Sequence, residues 1–592
     1  MMRKIMKHNN LISAMVLTMS MALVSCGDDD SKTNQQVTEV AGHEASQAQA
    51  HSGIMDYIPA DTPVLFVFSK DPQNPIPENL KVKMEKMYSG IGKIIKVAMQ
   101  ENFKKMAKEA PKANEMTDFM DKWTSEDGIK KLGLSLDENE FALYAVDLFP
   151  VLRITLAKTH AMGDVLDELM TKANESKVDS ATKKDMNGGT VYQFGDKEMQ
   201  VMISLNGNSI VASLAPSRDV EQLMPKLLGF EKPAKNIMQS NQYQDTVEKY
   251  NYLRNNIYWV NIRQLADFFV NPDQHKTPML DMLKVQDNIL SADCKTEILE
   301  IFDKFPRLVG GYTLIDEHAM NSHMIIEMAG DLGSKLSTMT GRIPASGDDA
   351  AISYGFSFDI TAAKKLALEF VTNIETQPYK CEFMTDLNAK AISFKAQLDQ
   401  PLPPFVGNFK GVNIIVDELD LDMTKKNPNE MIKNLKAKVL FAVDNPEALQ
   451  GMAEMMMPDL QKLGLKAGAE AVNVSHLIPI KGTQIPVNLD HVFLAMGDET
   501  LGVSLGEGTE AGLTQSVSAD STSDLFTVKI TAELYKNIFS GLNDFSANLP
   551  EEAQKQLSIQ NMLMTDMLWW ESEAANIDFT DRGFEVQMDI IY

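Results

Sequence analysis

The side chains suited to acid–base or metal chemistry are scattered along this 592-residue sequence. Six histidines follow residue 53, namely His160, His275, His318, His323, His476 and His491. None has a metal-site spacing such as His-Glu-x-x-His, and His318 and His323 stand five positions apart around a predicted turn. We therefore interpret all six as surface or structural histidines.

Patterns for nucleophiles and phosphate binding are equally weak. We identify no Gly-x-Ser-x-Gly elbow at a predicted strand-to-helix turn and no free cysteine in a recognisable nucleophile setting. The glycine-rich segment 506–512 carries Glu507 and Glu510 but no lysine, so it would repel phosphate and is predicted to be a turn. Because no nucleophile, base and orienting group can be assembled, we expect no enzyme activity, no cofactor and no metal site.

Four carboxylates follow Ile414-Ile415 and alternate partly with leucines: Asp417, Glu418, Asp420 and Asp422. Their oxygens suit calcium, but a calcium loop needs a turn, usually with glycine. The alternation instead indicates a strand with one wet face. We predict solvated carboxylates here.

Methionine is unusually frequent, with 38 residues. Two dense groups are Met452, Met455, Met456 and Met457, and then Met562, Met564 and Met567 beside Trp569 and Trp570. Thioethers bind copper(I) or line an adaptable groove for apolar ligands. Helical spacing is more typical of a packed core, which is our prediction for both groups.

A basic amphipathic helix is predicted over residues 81–108, because apolar residues recur there every three or four positions. Its other faces carry eight lysines and only two glutamates. The candidate contacts with anionic lipid or an acidic partner are Lys86, Lys93, Lys96, Lys104 and Lys105. The alternative is a helix that packs one face on the body and leaves its lysines in water, and Gly90 and Gly92 would also break it.

The N-terminus has the order of a secretory signal, with three basic residues followed by the apolar stretch 11–24. That stretch is too short to span a bilayer, which needs about 20 residues. Leu23-Val24-Ser25-Cys26 resembles the lipobox of bacterial lipoproteins. The resemblance implies a signal peptide over 1–25 and a lipid anchor on Cys26. The alternative is an ordinary signal peptide that contains a cysteine.

The residues after Cys26 bear on location. By resemblance to lipoprotein sorting in diderm bacteria, an aspartate after the cysteine retains the protein in the inner membrane, and Gly27 stands there. We expect the outer membrane, on its periplasmic face rather than the cell surface. The acidic run 28–30 resembles the tract that sends some lipoproteins of the Bacteroides group to the surface, but a solvated linker explains it equally well. Residues 26–54 are predicted to be a flexible tether.

Composition and charge limit the partners. The chain is 44% hydrophobic and 23% charged, enough for one large or two medium domains. No later segment approaches 18 continuous apolar residues, so membrane contact is expected through the N-terminal lipid. The net charge of −26 becomes −29 without the three basic residues of the signal peptide. Such a field repels phosphate backbones, and we expect no nucleic-acid partner.

The two cysteines other than Cys26 are Cys294 and Cys381. An even pair in an oxidising compartment is compatible with a disulfide, and the alternative is two buried thiols. A bond would close a long loop and add about 4 kcal/mol in the entropic account. It is also expected to tie the two halves of the body together.

The body contains an internal repeat. Residues 203–219 align without gaps on residues 494–510, and both segments predict strand, turn, strand and helix start. The predicted turn pairs are Asn206-Gly207 and Gly497-Asp498. Further correspondences join 64–68 with 354–358, 152–156 with 437–441, 257–262 with 525–530, and the closing strand pairs 309–327 with 575–590. Chance similarity between generic hairpins is the alternative.

These patterns predict an α+β fold of two related lobes, each an antiparallel sheet flanked by helices. The lobes are expected at 55–335, with a helical insertion at about 77–135, and at 345–592. The element order and the segment 57–63 are similar to large uncharacterised secreted proteins of Gram-negative bacteria, which implies no activity. We expect a non-enzymatic envelope lipoprotein that binds or scaffolds an envelope protein. The alternatives are a carrier of lipid or other apolar cargo and, third, an enzyme of unrecognised type.

Overall fold

The structure is a computed structural model. The residues it describes are 53–71, 74–84, 119, 122–123, 126–134, 139–176, 180–254, 256–285, 290–347, 350–422, 425, 431–477, 489–536 and 568–592.

The described residues form two compact units. The first lies within Met1–Asn261, Asn271–Asp287 and Gly310–Glu317, and the second within Ile262–Val270, Asn288–Val309 and His318–Tyr592. The predicted class, α+β, is confirmed, because helices accompany strands that pair antiparallel.

The first unit is built on an antiparallel sheet. Its strands are β1 (Val64–Phe68), β2 (Phe141–Val146), β3 (Phe149–Thr155), β4 (Ser180–Met186), β5 (Gly189–Gly195), β6 (Met199–Asn206), β7 (Ser209–Pro216) and β8 (Asn256–Val260). They pair in the order β8-β1-β2-β3-β7-β6-β5-β4. The strand β9 (Leu308–Ile315) also belongs mostly to this unit.

The helices of the first unit cover the sheet. They are α1 (Glu126–Lys131), α2 (Met162–Ser176), α3 (Val220–Leu227), α4 (Asn241–Tyr250) and α6 (Pro278–Met282). Helix α2 packs on strands β3, β5, β6 and β7, where Leu166 joins Ile154, Ile203 and Ile210 in one buried apolar cluster.

The second unit has a longer antiparallel sheet. Its strands are β10 (Ala319–Glu327), β11 (Ile352–Ser357), β12 (Phe409–Leu421), β13 (Ile432–Val443), β14 (Val472–Asn473), β15 (Val492–Met496), β16 (Thr500–Leu505), β17 (Phe526–Thr531), β18 (Ser572–Phe579) and β19 (Gly583–Ile591). They pair in the order β14-β15-β16-β13-β12-β11-β17-β18-β19-β10.

The helices of the second unit are α5 (Ile262–Val270), α7 (Ala292–Asp303), α8 (Leu332–Ser337), α9 (Ile360–Thr376), α10 (Thr385–Leu398), α11 (Pro404–Asn408), α12 (Pro446–Met456) and α13 (Glu510–Val517). Leu513 and Val517 of α13 pack on Leu440 and Ala495 of the sheet and form a small buried core. This core lies on one face of β13 and β15. We call that face of the sheet the inner face and the opposite one the outer face.

The unit boundary differs from the predicted lobe boundary near residues 335–345. Strand β10 pairs with β19 over nine residues, from Ala319 opposite Ile591 to Glu327 opposite Gly583. The chain therefore enters the second unit before residue 335. Short-range patterns could not predict this, because the partner strand lies at the far end of the sequence.

The repeated hairpins have the same register. Ile203 pairs with Ala212 in one hairpin, and Leu494 pairs with Val503 in the other, at positions that differ by the predicted offset. The turn centres fall one residue later than predicted, because Asn206 pairs with Ser209 and Gly497 donates its amide to the Thr500 carbonyl.

Candidate apolar binding face

Strand β11 points its large apolar side chains outward and its small polar ones inward. Tyr354 and Phe356 are 41% and 48% exposed, whereas Ser353, Gly355 and Ser357 are buried. This is the reverse of the ordinary alternation for a sheet with one covered face. The reversal leaves large apolar side chains partly exposed on the outer face of this strand.

The inner face of β11 is fixed by polar contacts and close packing. Ser353 and Asn413 make a buried side-chain hydrogen bond of 2.8 Å, and Asn413 donates to the Pro344 carbonyl at 2.7 Å. A Cβ on Gly355 would lie 2.4 Å from both Ile343 Cγ2 and Thr527 Oγ1. The strand cannot turn over without breaking these contacts, so the aromatic residues are held outward.

The pairing register extends this surface over five neighbouring strands. Tyr354 lies between Ile414 and Val528, and Phe356 lies between Val412 and Phe526. Ile414 is itself 49% exposed. The outward residues of β13 and β16 continue the row, since Ile414 pairs with Val439, and Val439 pairs with Val503.

We call this surface the apolar face. It comprises Tyr354, Phe356, Val412, Ile414, Val439, Phe441, Leu501, Val503, Phe526 and Val528. Each of these residues is partly exposed, and none carries a charge. A continuous apolar surface of this kind, rimmed by a charged protein, is typical of a binding site.

The methionines of helix α12 are exposed, so the prediction that they form packed core is wrong. Met455 and Met456 are 78% and 85% exposed, and Met452 and Met457 are 38% and 46% exposed. Pro446 is the one fully buried residue of α12. The spacing of these methionines did indicate a helix. Helical spacing alone, however, does not tell whether another element covers that side of the helix.

Asp417, Glu418 and Asp420 lie on β12, as the alternation predicted, and Asp422 follows the last residue of that strand. Two of them pair closely with lysines of β13: Asp417 Oδ2 lies 3.2 Å from Lys438 Nζ, and Glu418 Oε2 lies 2.7 Å from Lys436 Nζ. The hydrogen bond from Lys436 lowers the pKa of Glu418. Asp417 and Glu418 thus form cross-strand ion pairs, and the Asp417 side chain is only 20% exposed, in contrast to the predicted solvated carboxylates.

Cys294 and Cys381 form a buried disulfide in the second unit. Both cysteines lie in the second unit, so the bond does not join the two halves, in contrast to our expectation. Glu382 Oε2 lies 3.1 Å from Cys294 Sγ, so these three side chains gather potential metal ligands. Because the sulfurs are bonded to each other, they are not available as thiolates.

His323 is the histidine with the most defined surroundings. Its Nε2 lies 2.9 Å from Glu585 Oε2, and both residues are buried. Arg582 and Thr580 donate to the same carboxylate. Burial raises the pKa of Glu585, but these hydrogen bonds outweigh it and bring the pKa to about 2. Both oxygens of Glu585 are thus occupied, and the cluster is a structural ion network.

A Gly-x-Ser-x-Gly match that the sequence analysis missed lies at Gly502–Gly506. It occupies the end of β16, shortly before α13 begins at Glu510. Ser504 is 1% exposed, and its Oγ shares a 2.9 Å hydrogen bond with Thr509 Oγ1. A nucleophile at such an elbow must be accessible, so this serine serves packing.

Several predicted site residues lie outside the described residues. They are Cys26, the lysines Lys86, Lys93, Lys96, Lys104 and Lys105, and the methionines Met562, Met564 and Met567. Their predictions remain predictions. Among the residues that are described, none of the helices is long and apolar enough to cross a membrane.

Comparison with protein-family models, with curated proteins and with solved structures finds no match.

Proposed function

We propose that this protein is a non-enzymatic lipoprotein of the cell envelope that binds an apolar partner through the apolar face. The observation that carries the proposal is the outward direction of Tyr354, Phe356 and Ile414 on the adjacent strands β11 and β12.

The exposed apolar area of this surface can contribute to binding. An aromatic side chain buries on the order of 200 Å² when fully covered. The exposed fractions of Tyr354, Phe356 and Ile414 together then offer roughly 250 Å², or about 6 kcal/mol before the costs of association. Their partly exposed neighbours add to this.

The proposal assigns no reaction to the chain. His323 and Glu585 are committed to each other and to Arg582, and Ser504 is buried. It places the protein at the outer membrane, on the periplasmic face, held by lipid on Cys26. The net charge of −26 disfavours nucleic acid as the partner.

We also propose that the two units arose by duplication. The pairing order β8-β1-β2-β3-β7-β6 in the first unit corresponds to β17-β11-β12-β13-β16-β15 in the second. Phe66 pairs with Tyr258, and its counterpart Phe356 pairs with Phe526, as the predicted offsets require. Shared order and shared register together support common descent more than similar hairpins would.

Equilibrium binding of the dye Nile red tests the proposed function. The protein is the mature chain from residue 26 with Cys26→Ser, so that no anchor lipid contributes. We expect saturable binding that Phe356→Ser and Ile414→Ser each weaken by about tenfold, which corresponds to about 1.4 kcal/mol. The matched control is Phe383→Ser, because Phe383 is 66% exposed and lies outside the apolar face. Equal losses in all three variants would contradict the proposal.

A further inference from the structure

The disulfide between Cys294 and Cys381 is enclosed by a small apolar group of its own. Both cysteines are 0% exposed, and Met384 is 9% exposed beside them. The group is completed by partly buried side chains, namely Leu290, Ile298 and Tyr379. A reducing thiol therefore reaches the sulfurs only past the side chains that surround them.

One charged side chain touches this disulfide. Glu382 follows Cys381 directly in the chain, and its Oε2 lies 3.1 Å from Cys294 Sγ. The Ser291 hydroxyl donates to the same oxygen at 3.4 Å. Glu382 is exposed, whereas the sulfur beside it is buried. A negative charge thus lies in contact with the sulfur of Cys294.

A second carboxylate holds the segment that carries the other cysteine. Glu297 of α7 accepts hydrogen bonds from the backbone amides of Lys380 at 2.8 Å and Cys381 at 3.0 Å. These two bonds fix the chain immediately before Glu382 against α7. The position of the Glu382 carboxylate is therefore supported from both sides of the disulfide.

The chemistry that a carboxylate in this place opposes is thiol–disulfide exchange. A thiolate attacks one sulfur, the bond between the two cysteines breaks, and its electron pair leaves on the other sulfur. A second thiolate then releases the first from the mixed disulfide. The cysteine pair gains two electrons and two protons, and the reducing thiols are oxidised to their own disulfide.

Both routes of attack bring a second negative charge to Glu382. If Cys294 Sγ is attacked, the incoming thiolate approaches the carboxylate. If Cys381 Sγ is attacked, the departing thiolate forms on Cys294, 3.1 Å from the same carboxylate. Like charges at this distance repel, and the effect is larger near a buried sulfur than in bulk water.

The N-terminus of α7 acts in the opposite direction. Cys294 is the third residue of this helix, and a helix N-terminus carries about half a positive charge, which favours a thiolate. That half charge is distributed over the first turn, where Asp293 adds a negative charge. The full charge of Glu382 is in contact with the sulfur and therefore outweighs it.

We infer that Glu382 protects the disulfide electrostatically, so that thiols, and anionic thiols above all, reduce it slowly in the folded protein. The inference is independent of the apolar face and of any ligand bound there. It assigns Glu382 a role in keeping the second unit crosslinked in the presence of small thiols.

The rate of reduction by dithiothreitol in native buffer tests the inference. The protein is the mature chain with Cys26→Ser, and the released thiols are trapped with iodoacetamide and counted by mass spectrometry. We expect Glu382→Gln, which keeps the shape of the side chain, to be reduced about tenfold faster, which corresponds to about 1.4 kcal/mol. The matched control is Glu418→Gln, an exposed carboxylate paired with Lys436, which should keep the wild-type rate.

A pair of thiols of opposite charge separates electrostatics from loosening of the fold. Glutathione carries a net negative charge, whereas cysteamine carries an ammonium group. Each rate is divided by the thiolate concentration and by the rate in the urea-unfolded chain. We expect the folded wild type to prefer cysteamine, and Glu382→Gln to reduce that preference by about threefold. A variant that merely loosens the fold would be reduced faster by both thiols equally.

Four results would overturn the inference. The first is equal rates for the wild type and Glu382→Gln in native buffer, and the second is equal acceleration with both thiols. The third is faster reduction of Glu382→Ala with no change in Glu382→Gln, which would mean that the side chain covers the sulfur without its charge mattering. The fourth is a tenfold difference that persists in urea, because the effect would then not depend on the folded contact.

Discussion

Glu585 shows how one residue can carry a measurable pH dependence. It is 3% exposed and accepts hydrogen bonds from Arg582 and Thr580 beside His323. Its pKa of about 2 in the folded chain lies below the ordinary value of 4.5. Its stabilising contribution is therefore fully present above pH 4.5 and is lost as the pH falls towards 2.

We expect Glu585→Gln to lower the free energy of unfolding at pH 7 by on the order of 3 kcal/mol. The gap between the variant and the wild type should stay constant from pH 5 to 8 and shrink below pH 4.5. Urea unfolding over a pH series measures it. The control is Glu418→Gln, an exposed partner of Lys436 whose effect should be much smaller. A gap at pH 2.5 as large as at pH 7 would contradict the assignment.

The same scale explains which side-chain roles could be predicted. The spacing of His318 and His323 could not reveal the carboxylate of Glu585, which comes from a strand 262 residues away. Ser504 was missed although its five-residue match was visible in the sequence. Burial, which disqualifies it, is a property of the folded sheet.

The positions of strands and helices along the chain were predicted better than the faces by which they pack. The alternation over 354–358 identified strand β11, but a period of two does not say which face is covered. That choice depends on Gly355, which fits against Ile343 and Thr527, and on Ser353 with its bond to Asn413. The core prediction for the methionines of α12 was wrong for a similar reason. The helical period of a sequence does not show which elements pack against the helix.

Gly355 gives a test at the scale of the strand. We expect Gly355→Ala to destabilise the protein by about 1–3 kcal/mol, because the new methyl group would overlap Ile343 and Thr527. Thermal or urea unfolding measures the change. The matched control is Gly451→Ala in α12, where no atom lies within 4 Å of the added methyl group. That substitution should be neutral or stabilising by about 0.5–1 kcal/mol, since alanine favours helix. Equal stability of the two variants would argue against the close fit of β11.

At the scale of the molecule, the internal repeat was visible because hairpins keep their register. The boundary between the units could not be predicted in this way, because β10 pairs with β19, which lies more than 250 residues further along the chain. The same long-range placement puts Cys294 in the second unit with Cys381. No local pattern could have assigned that segment.

The disulfide provides a test of this larger organisation. It joins residues 87 positions apart. We expect the double variant Cys294→Ser with Cys381→Ser to lower the free energy of unfolding by about 4 kcal/mol, since the unfolded chain loses its constraint. Urea unfolding with and without reductant measures it. Reductant should destabilise the wild type and leave the double variant unchanged, and a wild type insensitive to reductant under unfolding conditions would show that the bond is not formed.

The most direct test of the apolar face is photocrosslinking in living cells. The photoreactive residue p-benzoylphenylalanine is placed at Phe356 in one strain and at Phe383 in another. Phe383 is the more exposed of the two, at 66% against 48%, so exposure alone would favour adducts there. We predict one defined adduct, a lipid or a single protein, at position 356 and little at position 383. Strong crosslinking at position 383 with none at position 356 would contradict the assignment of the apolar face as the binding surface.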